Sequence, residues 1–410
     1  MRILLTNTGP WGTGSAVVAE AVLNELVQKG HEALLFFPDA QLETPEKGHY
    51  YSRTDLYYIW RFPIERGGLR LPTFPLMIPD PNPRSPGETL TFRDLSEELL
   101  DLYFREGRRE LSQVIDRFRP AVVECQHIWS MGYLANELGL PYIVTANHSD
   151  QMGYRYDLRM QDYANRAAAG ARWIFAISEF VQREVLALYP GVQGRKVVHL
   201  ENGYNQRIFY PQRVSRDRVL RALGVEDDPR LPIISFSGKV SRTKGVDILL
   251  RANRLVQRER KALLVIAGTG RLEEEFAEEE RKDFHLENVY FVGHHPQPVL
   301  AQLHNLATVS VMPSRTEGFG LAALEAMGCG TPVVASKSGG PESFVVGATV
   351  AVENAEELAA GLLRLLTLEP RTAEELRQAV LQKARHYSWV RIVERRVQHY
   401  REALGPNSPD

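Results

Sequence analysis

Two glutamates, Glu317 and Glu325, stand in the run Pro313-Ser314-Arg315-Thr316-Glu317-Gly318-Phe319-Gly320-Leu321-Ala322-Ala323-Leu324-Glu325 with seven residues between them. The apolar run before it, Thr308 to Met312, reads as a buried strand, and Leu321 to Met327 reads as a helix. A glycine-bearing turn from strand to helix leaves unpaired backbone N–H groups at a helix N-terminus, where Gly318, Phe319, Gly320 and Leu321 can meet a phosphate. One acid lies on the turn and the other inside the helix, so they can reach hydroxyls on both sides of that phosphate. The ligand this suits is a sugar–diphosphate–nucleoside, with one acid for each sugar.

A second run, Ser237-Gly238-Lys239-Val240-Ser241-Arg242-Thr243-Lys244-Gly245-Val246-Asp247, also leaves a strand and opens a helix. Lys239 and Lys244 bracket the turn, so both ammonium groups can reach the helix N-terminus. Cations fixed there stabilise the charge that grows on a diphosphate as its bond to a sugar breaks. A solvated helix start would account for one lysine; two around one turn favour an anion.

Weaker signals share the same setting. Gly268 in Ala267-Gly268-Thr269-Gly270 and Gly293 in Phe291-Val292-Gly293 end strands and permit close backbone approach to a ligand. Ser338-Gly339-Gly340-Pro341-Glu342 suits either an anion or an ordinary turn. Near the N-terminus, Pro10-Trp11-Gly12-Thr13-Gly14-Ser15 joins a strand to a helix, and its N–H groups can hold a donor phosphate or an acceptor. His127 and His148 each sit just past a strand end. Either can be a satisfied structural residue or a hydrogen-bonding group aimed at a cleft.

The elements that must position these residues alternate in type. Strands are expected near 3–6, 32–37, 121–125, 142–145, 173–176 and 197–200, and again near 233–238, 262–267, 289–292, 309–312 and 333–335. Helical patterns lie between them, including 16–29, 95–118, 245–259, 272–284 and 321–328. The alternation predicts parallel βαβ units run twice, giving two doubly wound α/β sheets with ligands at the carboxyl ends of their strands. The cleft between two such sheets is the expected site. The break falls near Asn202 to Pro211, for domains of residues 1–207 and 208–385, with an amphipathic helix in 386–410. Residues 39–93 resist the pattern, being proline-rich with aromatic and basic runs at Tyr57–Phe62 and Leu69–Ile78. They read as an excursion packed on the first domain or as an acceptor-binding or membrane-touching surface.

Composition excludes several classes. The 410 residues are 44% hydrophobic with a net charge of −2, ample for buried cores and without a general pull toward nucleic acid or anionic membrane. Cys125 and Cys329 are the only cysteines and nothing pairs them, in keeping with a reduced, cytoplasmic compartment. The N-terminal apolar run is cut at once by Thr6-Asn7-Thr8-Gly9-Pro10, unlike a signal peptide, and no run approaches the roughly 20 apolar residues of a membrane span. No Cys/His cluster has zinc spacing and no Asp-x-Asp occurs, so neither a cofactor nor a metal is expected.

In its paired glutamates within Pro-Ser-x-x-Glu-Gly-Phe-Gly, the chain resembles the retaining glycosyltransferases with two Rossmann-like domains facing across a cleft, the GT-B architecture, and within them the group 4 family. The likeness covers nearly the whole chain and is strongest from Ser237 to Glu342. It departs at Lys239, where the family commonly has arginine, and at Thr13, where a Gly-Gly pair is usual, leaving Gly14 as the safer counterpart. The resemblance implies a metal-independent transfer of a sugar from a nucleoside-diphosphate donor to an acceptor hydroxyl. It implies that Glu325 holds the ribose, Glu317 and His148 the donor sugar, and Lys239 and Lys244 the leaving diphosphate. Gly14, Gly238, Gly268, Gly293 and Gly318 to Leu321 would line the donor, and His127 and Trp11 the acceptor side. The acceptor would be a glycan or lipid, with peripheral contact at the inner face of a membrane and no nucleic-acid partner. A sugar-nucleotide epimerase, a phosphorylase and a non-catalytic nucleotide-sugar-binding protein are the rival readings.

Overall fold

Strands buried on both faces read as largely apolar runs rather than alternating ones, and that is the pattern of the strands Arg2–Thr6, Tyr142–Ala146 and Leu263–Ala267 in the computed structural model of the chain. The structure describes residues 1–9, 13–40, 48–79 and 90–405. It forms two compact units, Met1–Glu201 with Trp389–Asp410, and Asn202–Ser388.

The first unit holds β1 (Arg2–Thr6), β2 (Glu32–Asp39), β3 (Tyr57–Arg61), the hairpin strands β4 (Ile64–Arg66) and β5 (Leu69–Leu71), β6 (Val122–Gln126), β7 (Tyr142–Ala146), β8 (Ile174–Ala176) and β9 (Val197–His199). Seven of these form a parallel sheet in the order β3-β2-β1-β6-β7-β8-β9. The order reverses between β1 and β6, the point where such sheets bind ligands. The helix Trp389–Leu404 belongs to this unit. Its buried Arg396 pairs with buried Glu124 of β6, and Tyr400 donates to the same carboxylate.

The second unit contains β10 (Ile233–Ser237), β11 (Leu263–Ala267), β12 (Val289–Gly293), β13 (Val309–Met312), β14 (Val333–Ser336) and β15 (Gly347–Val350), ordered β12-β11-β10-β13-β14-β15 and all parallel. Its switch point lies between β10 and β13. Alternate residues of β11 face opposite layers: Leu264 and Ile266 pack with Leu249 and Leu362, whereas Leu263 and Val265 pack with Leu220 and Leu303. The chain's entry into and exit from this unit are tied where the Tyr204 N–H donates to the Tyr387 carbonyl at 2.9 Å.

Three local readings change. The helix expected over 272–284 is two short ones, Leu272–Glu275 and Glu278–Arg281, because Phe276 and Ala277 are extended and Phe276 is buried edge-on against Phe284. Gly347–Val350, unremarked in the sequence, adds the edge strand β15. The excursion after residue 39 supplies β3 and the hairpin, and the aromatics that suggested a membrane-touching surface are core. Trp60, Phe62, Leu71, Phe74 and Met77 are all buried, with Trp60 against Tyr103 and Phe62 against Phe74. Among the described residues no helix is long and apolar enough to cross a membrane.

Candidate active site

In the second unit the turns after β10, β11 and β12 are stitched to one another by their backbones. The Gly238 N–H donates to the Ala267 carbonyl at 2.9 Å, Val240 to Thr269 at 2.7 Å, and Gly268 to Gly293 at 2.8 Å. The stitching requires glycine: a Cβ on Gly268 would stand 1.6 Å from the Gly238 carbonyl oxygen. Gly293 has φ +78° with open space around it, so its backbone turn, not crowding within the chain, accounts for the glycine.

The turn after β10 ends at Gly245, φ +69°, which starts the helix Val246–Glu259 with no side-chain cap. The turn after β13 ends at Gly320, φ +102°, which starts Leu321–Gly328 in the same way. Each helix therefore presents N-terminal N–H groups that no cap side chain engages. The loop Pro313–Gly320 is fastened on both sides. Arg315 forms a bidentate pair with Asp247 at 2.8 Å on each oxygen, and its N–H donates to the Thr243 carbonyl. On the other side the Glu317 N–H donates to Ser338 and the Gly340 N–H to Glu317, so the Ser338–Gly340 loop is part of the same wall.

This fastening brings Lys244 and Glu317 together, with Nζ 2.6 Å from Oε2. The two side chains assigned to leaving group and sugar are thus in contact, not at separate stations. Lys239 is brought to the same turn; burial pushes its ammonium down to about 8, Lys244 adds to the push, and Glu275 opposes it. Such a cation is readily stabilised by an arriving anion.

Glu325 lies on the helix past Gly320, and its Oε1 accepts a 3.2 Å hydrogen bond from Gln297 Nε2. Burial pushes its carboxyl up to about 8 against that bond. The proton that the folded chain retains is lost by the unfolded chain near 4.5. Its contribution to stability is therefore complete below that value and disappears as pH rises through about 8. Comparing wild type with Glu325→Gln between pH 5 and 9 should show the wild type losing on the order of 3 kcal/mol relative to the variant. Parallel pH–stability curves would overturn this assignment.

Phe319 is buried and stacks on Phe344 with centroids 4.9 Å apart, so its ring is a packing group. Leu321 is the first residue of its helix, and Gly318 packs beneath Gly340.

In the first unit, Trp11 lies outside the described residues. Gly14 opens the helix Gly14–Gln28, and a Cβ there would meet nothing within 4 Å among the described residues. The neighbouring Thr13 caps that helix through a 3.4 Å bond from the Ala16 N–H. His127 and His148 both adopt left-handed backbone, φ 72° and 75°, just past β6 and β7. His127 is held on both ring nitrogens. Its ring is buried with Nδ1 2.5 Å from Thr8 Oγ1 and Nε2 2.9 Å from Ser149 Oγ, and burial lowers its basicity, so it braces the switch point. His148 differs, since its Nδ1 donates to Glu184 at 2.6 Å. Burial raises the Glu184 carboxyl, but the bonds from His148 and Arg155 outweigh that and hold it below its usual range. The ionised carboxylate fixes Nδ1 as the protonated nitrogen and sets the ring's orientation.

Sequence reasoning missed four of these partners: Arg315 and Asp247, which hold the two lysine and glutamate loops together, Gln297 beside Glu325, and Glu184 beside His148. It also missed Asp150, buried and accepting from the N–H groups of Ile128 and Asn147, which ties the two histidine turns to each other. Asp150 alone had a local signal, an acid three residues beyond Asn147 at a helix start.

Two doubly wound α/β units, the second with a lysine–glutamate pair at glycine-capped helix starts, define a fold of the GT-B class. The family model described as "Glycosyltransferase Family 4" matches residues 12–207, and that of "Glycosyl transferases group 1" matches 224–387. The chain belongs to the group 4 family of GT-B glycosyltransferases. It is 32% identical over 253 residues to a D-inositol 3-phosphate glycosyltransferase of Thermomonospora curvata, covering 57% of this chain and 58% of that one. It is 28% identical over 352 residues to an alpha-maltose-1-phosphate synthase of Mycolicibacterium smegmatis, covering 79% and 86%. Against the first two curated relatives, the match spans 58% and 55% of their lengths. Among solved structures, a sucrose-phosphate synthase from Thermosynechococcus elongatus superposes with a TM-score of 0.72 at 20% identity, covering 98% of each chain. HepE of Anabaena in complex with UDP and glucose does so at 0.70 and 16%, covering 97% of this chain and 99% of that one.

Proposed function

We propose that the protein transfers a glycosyl group from a nucleoside-diphosphate sugar to an acceptor hydroxyl, with retention at the anomeric carbon and without a metal ion. The observation that carries this is the Lys244–Glu317 pair at 2.6 Å beside two glycine-capped helix starts. The bond from the anomeric carbon to the diphosphate oxygen breaks, and the nucleoside diphosphate leaves with both electrons. Lys239, Lys244 and the helix N–H groups take up the charge that develops there. The acceptor oxygen bonds to the anomeric carbon on the face the diphosphate has left, and its proton passes to the departing phosphate oxygen. Glu317 offsets positive charge at the sugar, His148 orients it, and Glu325 binds the ribose hydroxyls.

The acceptor in this reading is a glycan. The lipid-surface version loses its support because Trp60 and Phe74 are core residues. The test is turnover of UDP-, GDP- and ADP-glucose with a mixture of neutral oligosaccharide acceptors in the presence of EDTA, followed by NMR. An axial anomeric linkage from an α-donor is the expected product. An inverted anomer would overturn retention, and abolition of turnover by EDTA would overturn metal independence. Conversion of the donor without an acceptor would point to the epimerase, and dependence on inorganic phosphate to the phosphorylase.

A further inference from the structure

The first unit carries a cavity of about 460 Å³ that plays no part in the chemistry above. It runs along β3, the last strand on its side of the sheet, and is closed by Tyr50 and Tyr51 before it, the β4–β5 hairpin after it and one face of the helix Glu97–Phe118. Its volume falls in the range of small-molecule sites. Its walls bring together four guanidinium groups and three carboxylates, interleaved with four tyrosine rings.

One of those carboxylates is unusual. Glu106 is buried, and its Oε2 is held by guanidinium groups alone. The guanidinium of Arg109 lies 3.0 Å from that oxygen and that of Arg66 3.6 Å from it, as ion pairs. The pairing fixes both guanidiniums at the cavity wall, where their remaining N–H groups can meet a ligand. Around it, Tyr58 donates to Glu110 at 2.8 Å, and the Arg61 guanidinium lies over the Tyr51 ring at 5.1 Å.

The chemistry of these walls selects among ligands. A phosphate or sulfate would have to compete for guanidiniums that Glu106 and Glu110 already hold, and a cation would meet four guanidiniums. An apolar molecule would desolvate all of them without return. A neutral polyhydroxyl compound satisfies both sets, since each hydroxyl can donate to a carboxylate and accept from a guanidinium. The C–H face of a sugar ring can in turn lie on a tyrosine.

We propose that this cavity is a binding site for a neutral oligosaccharide, separate from the donor-binding turns of the second unit. It rests on the glycosyl-transfer reading only in that the glycan held here would be the acceptor chain or its product.

The test is an array of neutral hexose oligosaccharides, with sulfated and sialylated ones alongside, probed with the full chain as wild type, Arg66→Ala, Glu106→Gln and Lys244→Ala. Wild type and Lys244→Ala should bind neutral glycans alike, and Arg66→Ala and Glu106→Gln should bind on the order of tenfold more weakly. Arg66 is half exposed, so Arg66→Ala remains informative if Glu106→Gln fails to fold, and thermal melts and nucleoside-diphosphate binding should be unchanged in it. Three results would overturn the site: no neutral glycan bound by wild type, neutral binding that survives both variants, or selective capture of the acidic glycans. Array binding without any sugar transfer in the turnover assay would leave this site standing and remove the transfer reading. Turnover without array binding would do the reverse.

Discussion

Lys244→Ala should lower kcat/KM for sugar transfer by about 10²–10³, a loss of ~3–4 kcal/mol in transition-state stabilisation. The size follows from two changes made at once. The variant removes a cation from the place where the diphosphate's charge develops, and it strips Glu317 of the ammonium 2.6 Å from its Oε2. The uncompensated carboxylate then faces the incoming diphosphate. Calorimetry with chelator should show one of UDP, GDP or ADP binding to wild type, with CMP as a monophosphate control, and that binding should weaken at least tenfold in the variant. Adding Glu317→Gln to Lys244→Ala should recover part of the diphosphate affinity and none of the turnover, because the repulsion is removed while the sugar contact is not restored. Additive losses in the double variant would show that the two side chains act independently, against their contact in the structure. Undiminished diphosphate binding in Lys244→Ala would remove the lysine clamp from the mechanism.

Gly268→Ala should be the most destabilising single-methyl change in the second unit. The new Cβ would stand 1.6 Å from the Gly238 carbonyl oxygen, which is backbone and has nowhere to go without parting the turns after β10 and β11. A cost above ~4 kcal/mol and a fall in Tm on the order of 10 °C are expected, with nucleoside-diphosphate binding lost at temperatures where the variant is still folded. Gly14→Ala is the matched control. That position has open space around it and lies outside the left-handed region, so the change should fall within about 1 kcal/mol of neutral and on the stabilising side. Near-wild-type melting of Gly268→Ala would show that the backbone stitching of the three turns yields without cost. A large loss of donor binding in a stable Gly14→Ala would support Gly14 as a donor contact.

The contrast between these two glycines marks how far a sequence can be read. Both end or follow a strand and both precede a helix, so they look alike locally. Gly14 is free to carry a side chain within its unit, while Gly268 lies against a backbone from thirty residues earlier. The same holds for the histidines. His127 and His148 share a position just past a strand end, yet Thr8 and Ser149 close around one ring and Glu184 pairs with Nδ1 of the other. Burial likewise decided the excursion after residue 39, where composition alone allowed a surface and Tyr103 and the neighbouring aromatics made a core.

What the sequence determined by itself was everything set by short-range periodicity and turn chemistry. That includes two runs of alternating strand and helix, glycines at strand ends, Lys239 and Lys244 bracketing one turn, and Glu317 and Glu325 spaced along another. Backbone stereochemistry and the period of apolar residues act over a few neighbours, so they are legible in one dimension. The tertiary structure alone decided the partners. Lys244 meets Glu317 across 73 positions and Arg315 meets Asp247 across 68, and those pairings set the geometry of the site. A side chain's charge is written in its type, but its hydrogen-bond partners and the burial that shifts its pKa depend on residues the fold brings to it from far along the chain.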